Sequence, residues 1–126
     1  MVSELIKYGR FTTDSRLIYG NYGNLSARDE ETIYTTKSGV ILNGLSIDDF
    51  VHLADKISNN ASSDSPIHLE IYKKYSCNAI LHMHGDYTVL LSLNGKEIRP
   101  LDFVGKMFLE RVPIVEGQFG TATLNN

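Results

Sequence analysis

The chain has 126 residues, 42% of them apolar and 21% charged, with 12 Lys plus Arg against 15 Asp plus Glu. That length suits one domain over residues 1–126, and a net charge of −3 without a run of Lys or Arg leaves no footprint for nucleic acid or anionic membrane. No apolar stretch approaches bilayer length, Met1-Val2-Ser3-Glu4 lacks a signal-peptide pattern, and the single Cys77 excludes an internal disulfide framework, so a cytoplasmic protein is expected.

In chain order, Leu5, Ile6 and Phe11 predict an N-terminal helix with Tyr8 on its buried stripe, followed after a polar gap by Leu17 and Ile18. Gly20-Asn21-Tyr22-Gly23-Asn24 ends it with residues tolerant of positive φ. Leu25–Arg28 and Thr32–Thr35 read as a hairpin turned at Asp29-Glu30-Glu31. After a loop through Lys37-Ser38-Gly39, Ser46–Asp49 reads as a capped single turn leading into a strand, Phe50–Leu53.

A polar loop, Asn59 to Pro66, then supplies capping residues and a first-turn proline for a helix reaching about Tyr75. Ile67, Ile71 and Tyr75 share one face of that helix at i, i+4, i+8. Asn78–Leu81 begins a short strand that carries His82 and His84, and Asp86 is placed to cap a helix containing Val89, Leu90, Leu91 and Leu93. Ile98 and Phe103–Leu109 give weaker signals, and Val112–Val115 reads as a last strand. Strands and helices alternate without a βαβ rhythm, which predicts an α/β sandwich on a mixed or antiparallel sheet.

His82-Met83-His84 carries the chemistry. Side chains two apart on a strand leave the same face, so both imidazoles can reach one cation at about 2.0–2.1 Å. Such a pair is also compatible with two ordinary polar residues. Three loops are suited to an anion: Gly23-Asn24, Ser38-Gly39, and Ser62-Ser63 at a helix start, where free N–H groups favour negative charge. Each alone is equally plain turn chemistry. Asp64 begins the helix that feeds the histidine strand, which makes it a third ligand, a base, or simply a helix cap.

Four blocks, Gly23–Arg28, Thr36–Val40, Ser62–Asp64 and Ala79–His84, together resemble the class II aldolase/adducin family, which includes fuculose-phosphate aldolase and ribulose-phosphate 4-epimerase. Phe119-Gly120-Thr121 also looks like a family segment. The resemblance covers the whole chain. It implies a three-layer α/β/α sandwich with a central mixed, mainly antiparallel sheet, C-terminally short of the family's full length. It implies that Asn24, Ser38, Gly39, Ser62 and Ser63 hold a substrate phosphate, and that Asp64, His82 and His84 hold Zn2+ or another divalent metal.

The implied activity is aldol cleavage or formation of a ketose phosphate through a metal-stabilised enediolate, in a homo-oligomer that is a tetramer by family likeness. Asp64 stands where the aldolases have glutamate and is more like the epimerase. Asp102 falls near an acid/base aspartate of the epimerase, and Phe103 where the aldolase has a tyrosine donor. The family's third metal histidine is expected beyond Asn126, since neither His52 nor His68 matches it. Epimerisation, or a non-catalytic adducin-like or degenerate interaction domain, are the alternatives that the resemblance leaves open.

Overall fold

Strand β1 (Asn24–Asp29) is the axis of the molecule, because its alternating residues serve two different layers. The computed structural model describes residues 1–53, 59–93, 95 and 97–115. Strand β1 pairs antiparallel with β2 (Thr32–Thr36) on one side and with β4 (Ala79–His82) on the other. Strand β3 (Phe50–Leu53) pairs antiparallel with β2, giving the order β3-β2-β1-β4. Every pairing in this sheet is antiparallel, so the mixed component expected from the sequence does not occur among the described residues.

Leu25 and Ala27 face helix α1 (Val2–Asp14) and join Leu5, Ile18, Leu42 and Leu45 in the core. The buried positions of α1 are Leu5, Gly9 and Thr12, so Tyr8 and Phe11 are exposed, contrary to the predicted stripe. The cause is a close approach. A Cβ on Gly9 would lie 2.7 Å from the Leu42 carbonyl oxygen, and the helix therefore turns its smallest residue to the 3-10 turn Leu42–Gly44. Ile18 reaches the core from the loop after the helix rather than from the helix itself.

The other face of β1 presents Asn24, Ser26 and Arg28 to helix α2 (Ser65–Lys74), so the sheet lies between α1 and α2 in a three-layer arrangement. The buried residues of α2 are Ser65, His68 and Tyr72, a face rotated from the predicted Ile67/Ile71/Tyr75 stripe. Tyr75 follows the helix and is exposed. Polar groups on β1 select the polar side of α2, and amphipathic spacing loses to hydrogen bonding.

The Ser46–Asp49 turn forms as expected: the Asp49 carboxylate accepts from the Ser46 backbone N–H at 2.8 Å and from its hydroxyl at 2.9 Å. Helix α3 (Asp86–Ser92) starts with Gly85, not Asp86, at its N-cap. Helix α4 (Phe103–Phe108) follows a two-stranded ribbon partner β5 (Glu97–Ile98), which pairs with β6 (Val112–Pro113). The predicted last strand thus shortens to two residues, and Phe119–Thr121 lie outside the described residues. Neither α3 nor α4 buries any residue; Leu90, Leu93, Phe103, Met107 and Phe108 are all exposed.

Candidate active site

All four blocks singled out in the sequence meet at one end of the four-stranded sheet. Asn24 opens β1 and pairs with His82, the last residue of β4. Pairing stops there because Gly23, at φ +110°, turns the chain out of the ladder. A Cβ at Gly23 would stand 2.6 Å from the His82 carbonyl oxygen, so the close approach needs glycine. His84 consequently lies beyond the strand, not within it as expected. The two imidazoles nevertheless stack, with ring centroids 4.9 Å apart and planes 24° from parallel.

Asp64 holds the N-cap position of α2, yet its side chain makes no cap hydrogen bond. Its Oδ2 lies 2.6 Å from His82 Nδ1 and accepts from Asn24 Nδ2 at 2.6 Å. The simple helix-cap reading of Asp64 therefore fails, and the expected meeting of Asp64 with the histidines occurs through His82. Asn24 Nδ2 is also 3.2 Å from His82 Nδ1, while Asn24 Oδ1 is buried without a hydrogen-bond partner among the described residues. An orphaned buried acceptor is costly, which marks Asn24 as a residue with an unfilled polar contact.

The two serine loops are joined by backbone. Lys37 bridges Ala61, the Ser38 N–H donates to the Asn60 carbonyl at 2.9 Å, and the Ser62 N–H donates to the Thr36 carbonyl at 3.1 Å. Ser38-Gly39 at the end of β2 thus sits beside Ser62-Ser63 at the start of α2. Gly39, with φ +77°, has nothing within 4 Å of a notional Cβ and keeps its backbone open. Neighbouring strands are about 4.8 Å apart, so the loop after β2 and the histidines of β4 are separated by roughly 10 Å across β1.

Beyond His84 lies a cleft of about 600 Å³ lined by Tyr19, Tyr22, His84, Asp86, Val89 and Leu90. The Tyr22 ring centroid is 6.1 Å from that of His84, and the Tyr19 hydroxyl reaches Asp86 at 3.4 Å. Nothing in hydrophobic periodicity singles out these tyrosines; only their nearness to Gly23-Asn24 in sequence hinted at them.

The remaining candidates lie elsewhere. Asp102 caps α4, its Oδ1 accepting the Gly105 N–H at 2.8 Å, and no described contact links it to Asp64, His82 or His84. His52 is exposed on β3 against the Tyr34 ring. His68 is buried, with Nδ1 2.7 Å from Ser26 Oγ, and Ser26 Oγ is also 2.8 Å from the Tyr72 hydroxyl. Burial, against the opposing pull of Asp64, pushes the His68 pKa down to about 4, and burial raises that of Tyr72. Ser26 and Tyr72 went unmarked in the sequence, although strand alternation from Asn24 and helical spacing from His68 place both on this face.

Two imidazoles and a carboxylate are donor types that suit a zinc ion. With Nδ1 turned to Asp64, His82 keeps Nε2 for a ligand, the division found in carboxylate–histidine–metal arrangements. Among the described residues, no group of three His, Cys, Asp or Glu side chains is placed to hold a metal ion. The donor types of His82, His84 and Asp64 suit a divalent cation, and the geometry is the Asp64–His82 contact beside the stacked imidazole pair.

The family model of the class II aldolase and adducin N-terminal domain matches residues 3–126. The chain belongs to this family. It is 34% identical over 117 residues to the L-fuculose phosphate aldolase of Methanocaldococcus jannaschii, an alignment covering 90% of this chain and 65% of that protein. The crystal structure of L-fuculose-1-phosphate aldolase from Thermus thermophilus superposes with a TM-score of 0.83 at 31% identity, over 88% of this chain and 58% of that one. YgbL from Escherichia coli shares the fold at 23% identity and a TM-score of 0.79, over 98% of this chain and 64% of that one. The chain thus spans less than two thirds of the length of each of these relatives.

Proposed function

We propose that this chain carries the substrate- and metal-binding part of a sugar-phosphate aldolase-type lyase acting on a ketose phosphate. The observation that carries the reading is the Asp64–His82 contact of 2.6 Å, formed at the same sheet end as the Ser38-Gly39 and Ser62-Ser63 loops. In this reading Asn24, Ser38, Gly39, Ser62 and Ser63 hold the phosphate by neutral donors, and His82 and His84 hold a divalent cation, zinc by donor type. When bound, the cation supplies Lewis-acid stabilisation of negative charge at the substrate's carbonyl oxygen.

The protein's own groups do the rest. Retro-aldol cleavage removes a proton from the hydroxyl β to the carbonyl, breaks the bond between the α and β carbons, and releases the β carbon as an aldehyde. The electron pair stays on the phosphorylated ketone fragment, which is then reprotonated. Asp64, with 15% of its side chain exposed and no cap role, is the proton acceptor, and Asn24 fixes its orientation. The cleft beside Tyr22 and His84 receives the aldehyde end, since its lining includes His84 and no residue of the serine loops.

The same reading places the protein in the cytoplasm as a homo-oligomer, tetrameric by family likeness; the uncovered apolar residues of α3 and α4 support association. Among the described residues no helix is long and apolar enough to cross a membrane. The decisive experiment measures metal content of the purified protein beside a His82→Ala/His84→Ala double variant, then aldehyde release from ketose 1-phosphates. Stoichiometric zinc lost in the double variant, with aldehyde released by the wild type, supports the lyase. Zinc and sugar-phosphate binding without aldehyde release would redirect the assignment to epimerisation or a non-catalytic domain.

A further inference from the structure

Helix α2 runs along β1 through three polar latches in register. Asn24 donates to Asp64 at 2.6 Å, Ser26 meets His68 at 2.7 Å and Tyr72 at 2.8 Å, and Arg28 Nη1 donates to the Tyr72 carbonyl at 2.7 Å. Positions 24, 26 and 28 of the strand thus meet 64, 68 and 72 of the helical segment. Two residues of strand advance about 6.7 Å and four residues of helix advance about 6.0 Å, nearly equal steps, so the latches stay aligned.

The main apolar cluster contributes no residue of α2 to this register. The hydrophobic core lies on the α1 face, whereas the residues that α2 buries are Ser65, His68 and Tyr72. Hydrophobic contact is non-directional, whereas each hydrogen bond fixes one named atom against another. A slip of one residue along α2 would shift Asp64 by about 1.5 Å and turn it by roughly 100°, out of reach of His82. The middle latch is the most enclosed, since Ser26, His68 and Tyr72 are all buried, whereas the Asp64 and Arg28 ends are only partly so.

We propose that His68 is a positioning residue: through Ser26 and Tyr72 it fixes the register of α2 on β1 and thereby delivers Asp64 to His82. Its ring's hydrogen bond goes to Ser26, and it acts through the helix. The inference rests on the reading of His82 and His84 as the metal pair only in its second readout. The first readout is independent of metal.

The experiment compares wild type with His68→Leu, which fills the space without a polar atom, and His68→Asn, whose amide can take the place of Nδ1. Tyr72→Phe and Ser26→Ala serve if His68→Leu does not fold. Imidazole 15N spectra report whether His82 Nδ1 is protonated and hydrogen-bonded. Zinc affinity is measured by competition with a chromophoric chelator, and thermal midpoints are recorded separately.

The expected result is a His82 Nδ1–H signature in wild type and His68→Asn that is lost in His68→Leu. Zinc affinity falls roughly 10- to 100-fold in His68→Leu and recovers in His68→Asn. A folded His68→Leu protein that keeps both the His82 signature and wild-type zinc affinity overturns the proposal. If His68→Leu does not fold, an unchanged His82 signature in both Tyr72→Phe and Ser26→Ala overturns it likewise. A wild type that binds no zinc but loses the His82 signature in His68→Leu defeats the metal reading and upholds the positioning role.

Discussion

Asp64 and His82 touch at 2.6 Å although one begins α2 and the other ends β4, with the whole of α2 and a loop between them. The contact exists because α2 returns antiparallel to β4, so the start of the helix and the end of the strand share one end of the sheet. Charge-assisted contact between a carboxylate and an imidazole is about twice as strong as a neutral one and shorter, which suits a group that must hold an imidazole in one orientation.

Replacing Asp64 with asparagine keeps the size and one hydrogen-bonding oxygen but removes the proton acceptor. On the proposed lyase reading, ketose-phosphate cleavage is expected to fall by roughly 10²- to 10⁴-fold in kcat/KM, with phosphate-ester binding little changed. Steady-state kinetics beside a direct binding titration separate the two. Equal loss in binding and turnover would mean that Asp64 serves to build the site and not to move the proton.

Gly23→Ala tests the corner where β1 meets β4. The substituted residue faces two penalties, a φ of +110° and a Cβ 2.6 Å from the His82 carbonyl oxygen, which is backbone and cannot rotate away. A destabilisation of about 1–3 kcal/mol is expected from the backbone alone, read from urea unfolding. Gly39→Ala is the contrast: it also has positive φ, but nothing stands within 4 Å, so the strain is conformational only. Gly23→Ala should therefore cost more than Gly39→Ala.

The sequence disclosed what is local or periodic. The hairpin of β1 and β2, the Ser46–Asp49 turn, and the proline-started α2 all follow from neighbouring residues. The histidine pair was legible too, though its strand ends at His82 and leaves His84 outside. What could not be read was which face each helix turns inward. Tyr8 and Phe11 lost the α1 interface to Gly9, since only a missing side chain lets the Leu42 turn approach. Ile67 and Ile71 lost the α2 interface to His68 and Tyr72, because Ser26 needed partners. Both outcomes depend on what lies opposite, and a helix does not encode its neighbour.

Arg28 joins the helix end to the sheet. Its guanidinium donates to the Tyr72 carbonyl at 2.7 Å and the Cys77 carbonyl at 2.8 Å, and lies 5.1 Å from the Tyr72 ring centroid. Carbonyls at a helix C-terminus lack intrahelical donors, and a cation there also meets the negative end of the helix dipole. Arg28→Met should cost about 1–3 kcal/mol in equilibrium unfolding. Arg28→Lys should recover little of it, since one ammonium cannot reproduce the planar fork.

Acid should loosen the structure through His68. Its pKa is pushed down to about 4 by burial, opposed by the Asp64 carboxylate and assisted by His82. Among the described residues, the Tyr72 hydroxyl, by way of Ser26, and Arg28 over the Tyr72 ring also face this cluster. The unfolded imidazole titrates near 6.5, so between about pH 6.5 and 4 the unfolded chain binds the extra proton and the folded chain does not. Stability from this source is complete above about 6.5 and declines as pH falls toward 4, by about 3 kcal/mol over the full span. His68→Asn has no such proton to take up, so its stability should fall less steeply across that window. Urea midpoints at about pH 7.5, 6, 5 and 4 for both proteins check this, and parallel curves would assign the acid sensitivity to other groups.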